Sequence, residues 1–79
     1  MPLLLRSGPY RIFIVSFDLD EPPHVHVQRE NAVAKLWLDP VRVQRDGGFS
    51  GVEIRRILRI VEANEADLLE KWNDHRQRG

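Results

Sequence analysis

Two short stretches in which polar and apolar side chains alternate, His24–Arg29 and Ala32–Leu38, place the tightest constraint on how this chain can fold. Alternation predicts β-strands with one covered face, because successive side chains of a strand point to opposite sides. Only Glu30-Asn31 separates the two stretches, which is the length of a tight hairpin turn, and Asn tolerates the positive φ that such turns use. We therefore predict an antiparallel hairpin.

The hairpin turn also determines which residues lie opposite each other. The resulting pairs are Val27–Ala34 and Val25–Leu36 on one face, and His24–Trp37, His26–Lys35 and Gln28–Val33 on the other. A slip by one residue would set the two valines against Lys35 and Trp37. The apolar pattern and the turn length therefore agree on a single register.

Further strands are predicted on either side of the hairpin. Leu3–Arg6 forms a short first strand, and Ser7–Pro9 follows as a turn, since Gly permits a positive φ and Pro fixes its own. Tyr10–Phe17 is apolar on both faces, which is typical of a central strand that is covered on both sides. After the hairpin, Val41–Arg45 is either a short edge strand or an irregular turn.

The last third of the chain is predicted to be helical. Ser50 and Glu53 form a capping box, with Ser50 at the N-cap and the Glu53 carboxylate reaching back to it. Asn64 can start a second helix, so one kinked helix and two short helices both fit the pattern. Apolar residues recur at helical spacing through this region: Ile54, Ile57, Leu58, Val61, Leu68, Leu69 and Trp72.

We expect these helical side chains to cover one face of the sheet. The sheet residues that they should meet are Phe13, Val15, Phe17, Val25, Val27 and Leu36. The predicted fold class is α+β: a small, mainly antiparallel sheet of three to five strands, followed by one kinked or two short C-terminal helices packed on one face. Residues 1–79 should form a single domain, β-rich over 1–45 and helical over 50–77, because 79 residues leave no room for a second core.

Composition narrows the classes of function. Lys plus Arg and Asp plus Glu number 12 each, so the formal net charge is zero. That balance argues against a strongly basic, nonspecific nucleic-acid binder, leaves room for a local basic face, and favours association with a second copy or another protein. The chain has no Cys, so a metal would need His, Asp or Glu ligands. The sequence shows neither a signal-peptide pattern nor an apolar run of membrane-spanning length, and we expect a cytoplasmic location without membrane contact.

Chemically capable side chains concentrate in Glu21–Val27 (EPPHVHV). His24 and His26 project from the same face of the predicted strand, with Cβ atoms roughly 6.5–7 Å apart. Two imidazoles at that spacing can share Zn²⁺ or Ni²⁺ if carboxylates or a third His join them. The candidate further ligands are Asp18, Asp20 and Glu21 in the preceding loop. The alternative is that no cofactor is bound and His24 simply packs against Trp37.

A metal-independent ribonuclease is a second possibility for the same face. Such an enzyme needs a base, an acid and a cation that stabilises the phosphate. Histidine as a residue type can supply both the acid and the base near neutral pH. The register places Lys35 opposite His26. His24, His26 and Lys35 are therefore the candidate catalytic residues.

A protein-interaction surface is the third possibility. Pro22 and Pro23 would present the loop rigidly, and Trp37 is of a residue type that is enriched at binding hot spots. These three residues are the candidate partner-binding set, with another protein or a second copy as the partner. Trp72, by contrast, is expected in the core.

Five segments carry a pattern that extends over essentially the whole chain: Glu21–Val27 (EPPHVHV), Ala34–Pro40 (AKLWLDP), Gly48–Ser50 (GFS), Val61–Asn64 (VEAN) and Leu69–Asn73 (LEKWN). In this order and spacing they resemble the bacterial domain-of-unknown-function 4160 family. The resemblance implies a small bacterial accessory protein without an assigned reaction. It also implies a partner, because genes of this family often lie beside one for a domain-of-unknown-function 2442 protein, and such pairs are suspected toxin–antitoxin systems. On that basis we expect an interaction component of such a pair.

Overall fold

The computed structural model describes residues 3–15 and 20–78, the last of these by its backbone alone. Its elements are β1 (Leu3–Ser7), β2 (Tyr10–Phe13), β3 (His24–Arg29), β4 (Ala32–Leu38), β5 (Val41–Arg45), α1 (Gly51–Ala63) and α2 (Glu65–Arg78). The five strands form one antiparallel sheet in chain order. The predicted α+β class is confirmed: the segment after the hairpin is an edge strand, and the helical region consists of two helices.

The hairpin formed by β3 and β4 has the predicted register. Every predicted pair is present, from His24–Trp37 at the open end to Gln28–Val33 near the turn. The turn differs in one respect, because the positive φ lies at Glu30 (55°) and not at Asn31. Two-residue turns that match the strand twist require a positive φ at their first residue, and the register places Glu30 there.

Strand β2 is shorter than predicted. It ends at Phe13, whereas the pattern predicts a strand as far as Phe17, a residue that lies outside those the structure describes. Phe13 pairs with Leu3, the first residue of β1. On its other side β2 pairs as far as Phe13–His26, although β3 itself extends to His24.

One hydrophobic core joins the apolar sheet face to both helices. Its buried members are Tyr10, Ile12, Ile14, Val25, Val27, Ala34, Leu36, Leu38, Phe49, Ile57, Val61, Leu68 and Trp72. The prediction that Phe13 belongs to this core is wrong. Ile12 pairs with Val27 and so shares its face, which turns Phe13 to the other side of the sheet, opposite His26.

The start of α1 is held by a cap and by a tertiary ion pair. The Ser50 hydroxyl accepts a hydrogen bond from the Glu53 backbone N–H at 3.2 Å, as predicted. The Glu53 carboxylate does not reach back to Ser50; it accepts two hydrogen bonds from the Arg29 guanidinium, at 2.7 and 3.1 Å. These bonds raise the pKa of Arg29 and tie α1 to the end of β3. A charged partner on the sheet therefore replaces the second half of the capping box.

The two helices are separated at Asn64. This residue ends α1, and its side-chain amide donates a hydrogen bond to the Ile60 carbonyl at 2.8 Å. The Asn64 carbonyl accepts from the Leu68 N–H at 2.9 Å and so begins the hydrogen bonding of α2. Asn suits this position because its short polar side chain satisfies a backbone group at the end of a helix.

The loop after β5 makes Gly47 the residue with the least room for a side chain. Gly47 has φ 64°, and a Cβ there would lie 1.8 Å from the Val33 carbonyl oxygen of β4. Gly48 also has a positive φ, 95°, but nothing lies within 4 Å of its added Cβ. We expect Gly47→Ala to lower the free energy of unfolding by about 2 kcal/mol more than Gly48→Ala, because only the first forces β4 and the loop apart. Urea denaturation of both variants measures this difference, and equal losses would contradict it.

The positive φ of Glu30 is a source of strain that can be removed. A side chain with a Cβ costs roughly 1 kcal/mol in this conformation, whereas Gly adopts it freely. With φ 55° at Glu30, we expect Glu30→Gly to raise the free energy of unfolding by about 0.5–1 kcal/mol. Glu30→Ala is the matched control, since it removes the same carboxylate and keeps the strain. If the two variants have the same urea midpoint, the strain is not what limits the hairpin.

Candidate functional site

The candidate residues lie on the sheet face that carries Phe13, opposite the apolar face that forms the core. His24 and His26 project from β3, and Lys35 and Trp37 project from β4, because each alternates with a core residue. The register sets His26 beside Lys35 and His24 beside Trp37. These four residues and Phe13 from β2 are called the histidine cluster below.

The four rings of the histidine cluster form a row in which each ring contacts the next. Phe13 stacks on His26, with centroids 5.5 Å apart and an 18° interplanar angle. His26 meets the edge of His24 at 5.4 Å, and His24 meets the edge of Trp37 at 5.9 Å. The cluster is largely closed to solvent: the exposed fraction is 0% for His24, 6% for His26 and 8% for Lys35. Close aromatic packing of this kind stabilises the face and fixes the ring positions.

Lys35 connects the histidine cluster to the preceding loop. Its ammonium donates a hydrogen bond to the Glu21 carboxylate and lies over the Trp37 ring, 5.1 Å from the centroid. The hydrogen bond from Lys35 is the main cause that lowers the pKa of Glu21 below its ordinary value, while desolvation opposes the change. A largely buried ammonium is thereby paired with a carboxylate, which limits the cost of removing it from water.

The two prolines are anchored to the same hairpin. Nδ1 of His24 lies 2.9 Å from the Pro22 carbonyl oxygen, and since a carbonyl only accepts, this nitrogen is the donor. The Pro23 carbonyl accepts from the Leu38 N–H at 2.9 Å. Pro22 is exposed and Pro23 half-buried. The loop before β3 is therefore tied down at three successive residues, Glu21, Pro22 and Pro23.

Helix α2 contributes Trp72 to the environment of His24. The two ring centroids lie 6.3 Å apart, and Trp72 is completely buried, as predicted. Arg76 lies over the Trp72 ring, with its guanidinium carbon 5.7 Å from the ring centroid. The indole Nε1 of Trp72 finds no acceptor among the residues that the structure describes. His24 thus lies where the sheet, the proline loop and α2 meet.

One concavity of the surface lies away from the histidine cluster. A shallow depression runs along α2, lined by Ala66, Leu69, Glu70, Lys71, Asn73, Asp74 and Gln77. None of the histidine cluster contributes to it. Its lining comes from one helix and lacks any imidazole or thiol, so the concavity carries no recognisable chemistry.

The burial of the cluster bears on what it can do. A general base must come within hydrogen-bond reach of its substrate, and the imidazole of His24 has no exposed surface. Lys35 is already paired with Glu21, which reduces the positive charge available to a phosphate. Within residues 3–15 and 20–78, no group of three His, Cys, Asp or Glu side chains is placed to hold a metal ion. The ribonuclease and metal hypotheses for His24, His26, Lys35, Asp20 and Glu21 stay predictions, and Asp18 lies outside the residues that the structure describes.

Sequence reasoning missed two contacts of this face. Glu21 is named above as a candidate metal ligand, but its observed partner is Lys35. Phe13 is expected in the main core, but it stacks on His26. The loop path and the β2–β3 register decide both contacts, and neither leaves a periodic signal in the chain.

The fold and the site define a small α+β domain with a five-stranded meander, a closed polar–aromatic face and two C-terminal helices. A family model described as Domain of unknown function (DUF4160) matches residues 10–73. The match covers most of the chain, which belongs to this family. Neither the curated proteins nor the solved structures yielded a significant match. Among the described residues, no helix is long and apolar enough to cross a membrane.

The Glu21–Lys35 pair gives the fold a specific dependence on pH. Since Lys35 lowers the pKa of Glu21 below 4.5, the stabilisation is complete above that pH and is lost as the pH falls through the folded-state pKa. We expect Glu21→Gln to melt at a lower temperature than the parent chain at pH 7, and the two melting temperatures to converge as the pH falls below 4.5.

Glu70→Gln on the exposed side of α2 removes an equal charge without an ion pair among the described residues, and is the control. It should shift the melting temperature much less at pH 7. A constant gap between Glu21→Gln and the parent chain from pH 7 to pH 3 would show that the carboxylate charge does not stabilise the loop.

Proposed function

We propose that this chain is a protein-interaction component that binds a partner through the surface formed by Pro22, Pro23 and Trp37. The partner we propose is a neighbour-encoded protein of the domain-of-unknown-function 2442 type, in a toxin–antitoxin-like pair in the bacterial cytoplasm. The partner type is what the family resemblance implies, since the family itself is described only as one of unknown function.

The observation that carries the proposal is the unequal exposure of the candidate residues. The side chains suited to catalysis or metal binding are enclosed, with His24 at 0% and Lys35 at 8% exposure. Pro22 is exposed, and Pro23 and Trp37 are half-buried, so these three have surface left for a partner. Access therefore favours recognition over chemistry at this end of the sheet.

The surface is also held in place before any partner arrives. Hydrogen bonds from His24 and Leu38 hold the two proline carbonyls. Lys35 and His24 pack against the Trp37 ring from different directions. Groups that are already ordered lose little conformational entropy on binding, which favours affinity. A half-buried Trp in a fixed orientation is the kind of anchor that dominates alanine scans of interfaces.

The proposal predicts a complex whose stability depends on Trp37. Co-expression with the product of the adjacent gene should give a complex that survives gel filtration. Trp37→Ala should weaken it by about 2 kcal/mol or more, roughly thirtyfold in Kd, as truncation of a hot-spot Trp does. Calorimetry with the purified partner measures the change.

Val52→Ala is the matched control, because Val52 is an apolar side chain that is 52% exposed on α1, away from the proposed surface. It should leave the Kd unchanged. Trp37→Phe, which keeps a ring, should retain most of the affinity, and thermal melts show whether each variant is folded. Separate elution of the two proteins, or equal losses in Trp37→Ala and Val52→Ala, would contradict the proposal.

A further inference from the structure

The zero net charge of the chain hides a strong separation of charge between its elements. The five described strands contain six cations, Arg6, Arg11, Arg29, Lys35, Arg42 and Arg45, and neither Asp nor Glu. Of the 12 acidic residues in the sequence, the 11 that the structure describes all lie in loops and helices. The sheet is a positively charged layer within an electrically balanced protein.

Strand pairing places five of these six cations on the same side of the sheet. Arg6 pairs with Arg11, and Arg11 with Gln28, which lies on the face of His26. Lys35 pairs with Arg45, and Trp37 pairs with Arg42. The sixth cation, Arg29, points to the core side and bonds to Glu53. The face that carries the histidine cluster is thus also the basic face.

Four of the cations on this face are available to a ligand. Arg6, Arg11, Arg42 and Arg45 are exposed, and none makes an ion pair with another residue that the structure describes. Lys35 differs, since it is buried and paired with Glu21. The free positive charge therefore consists of guanidinium groups alone.

The four arginines lie in two pairs at opposite edges of the sheet. Arg6 and Arg11 face each other across β1 and β2, and like charges directly opposite destabilise a strand pair. Arg42 and Arg45 are on β5, three strand spacings from β2, or roughly 14 Å. An extended polyanion that crosses the strands would relieve the repulsion within each pair and bridge the space between them.

We propose that this face binds the phosphate backbone of single-stranded nucleic acid through Arg6, Arg11, Arg42 and Arg45. A planar guanidinium group can donate two parallel hydrogen bonds to the oxygens of one phosphate group. Trp37 pairs with Arg42 and is half-buried, so it offers an aromatic side chain on which a base can stack. The combination of scattered cations and an aromatic surface fits a nucleic-acid strand better than an acidic protein segment. This inference goes beyond the proposed partner binding and does not depend on it.

The test measures binding by the chain alone, without any partner. Fluorescence anisotropy with labelled 12-nucleotide oligo(U) and oligo(dT) at 50 mM salt should give saturable binding. Arg11→Gln with Arg42→Gln should raise the Kd on the order of tenfold or more, and should reduce the slope of log Kd against log salt by about 1.4, the value for two lost phosphate contacts. Either sugar supports the proposal, since the shared chemistry is the phosphate backbone.

Arg55→Gln with Arg59→Gln is the matched control, because it removes two equally exposed arginines from α1. It should leave the Kd within about twofold of the parent chain, whereas a non-specific electrostatic effect would weaken binding equally in both double variants. All four substituted residues are exposed, so we expect both double variants to stay folded. Circular dichroism and thermal melts check this. Absence of binding, equal loss in the control, or displacement of the oligonucleotide by polyglutamate at the same charge concentration would each overturn the proposal.

Discussion

The pairing of β3 with β4 is the constraint on which the rest of the structure depends. Val25 and Val27 are buried only in the register that sets them against Leu36 and Ala34. Because strand side chains alternate strictly, the same register determines the other face, where His26 meets Lys35. Core and candidate site are thus two sides of one hairpin. A register shift that opened the core would also separate the histidine cluster.

Two ion pairs attach the rest of the chain to this hairpin. Lys35 holds the loop before β3 through Glu21, and Arg29 holds the start of α1 through Glu53. The second pair shows how a tertiary contact competes with a local one. A carboxylate at the third position of a helix can reach back to the N-cap, but here a bidentate guanidinium is within reach and offers two charged hydrogen bonds.

The two faces of the sheet differ in exposure and in charge, and this difference underlies the proposed functions. One face is sealed by helices, and the other combines an enclosed row of rings with exposed arginines at both edges. The residues that most suggest chemistry in the sequence, His24 and His26, are the ones that the fold encloses. The residues with surface left for contact are the exposed Pro22, the half-buried Pro23 and Trp37, and the exposed arginines. This distribution is the basis on which we propose recognition of other molecules as the role of this face.

The sequence by itself left open whether the helix breaks at Asn64, but it determined three local features: the hairpin and its register, the helix start at Ser50 and the burial of Trp72. Each rests on a periodicity or a turn between residues that are close in the chain, so the physical cause is contained in the segment. Only the tertiary structure decided the end of β2, the side to which Phe13 points, the partners of Glu21 and Glu53, and the burial of His24. These depend on which strand supplies hydrogen bonds and which distant side chain comes within reach, and no local pattern encodes distances between segments that meet only after folding.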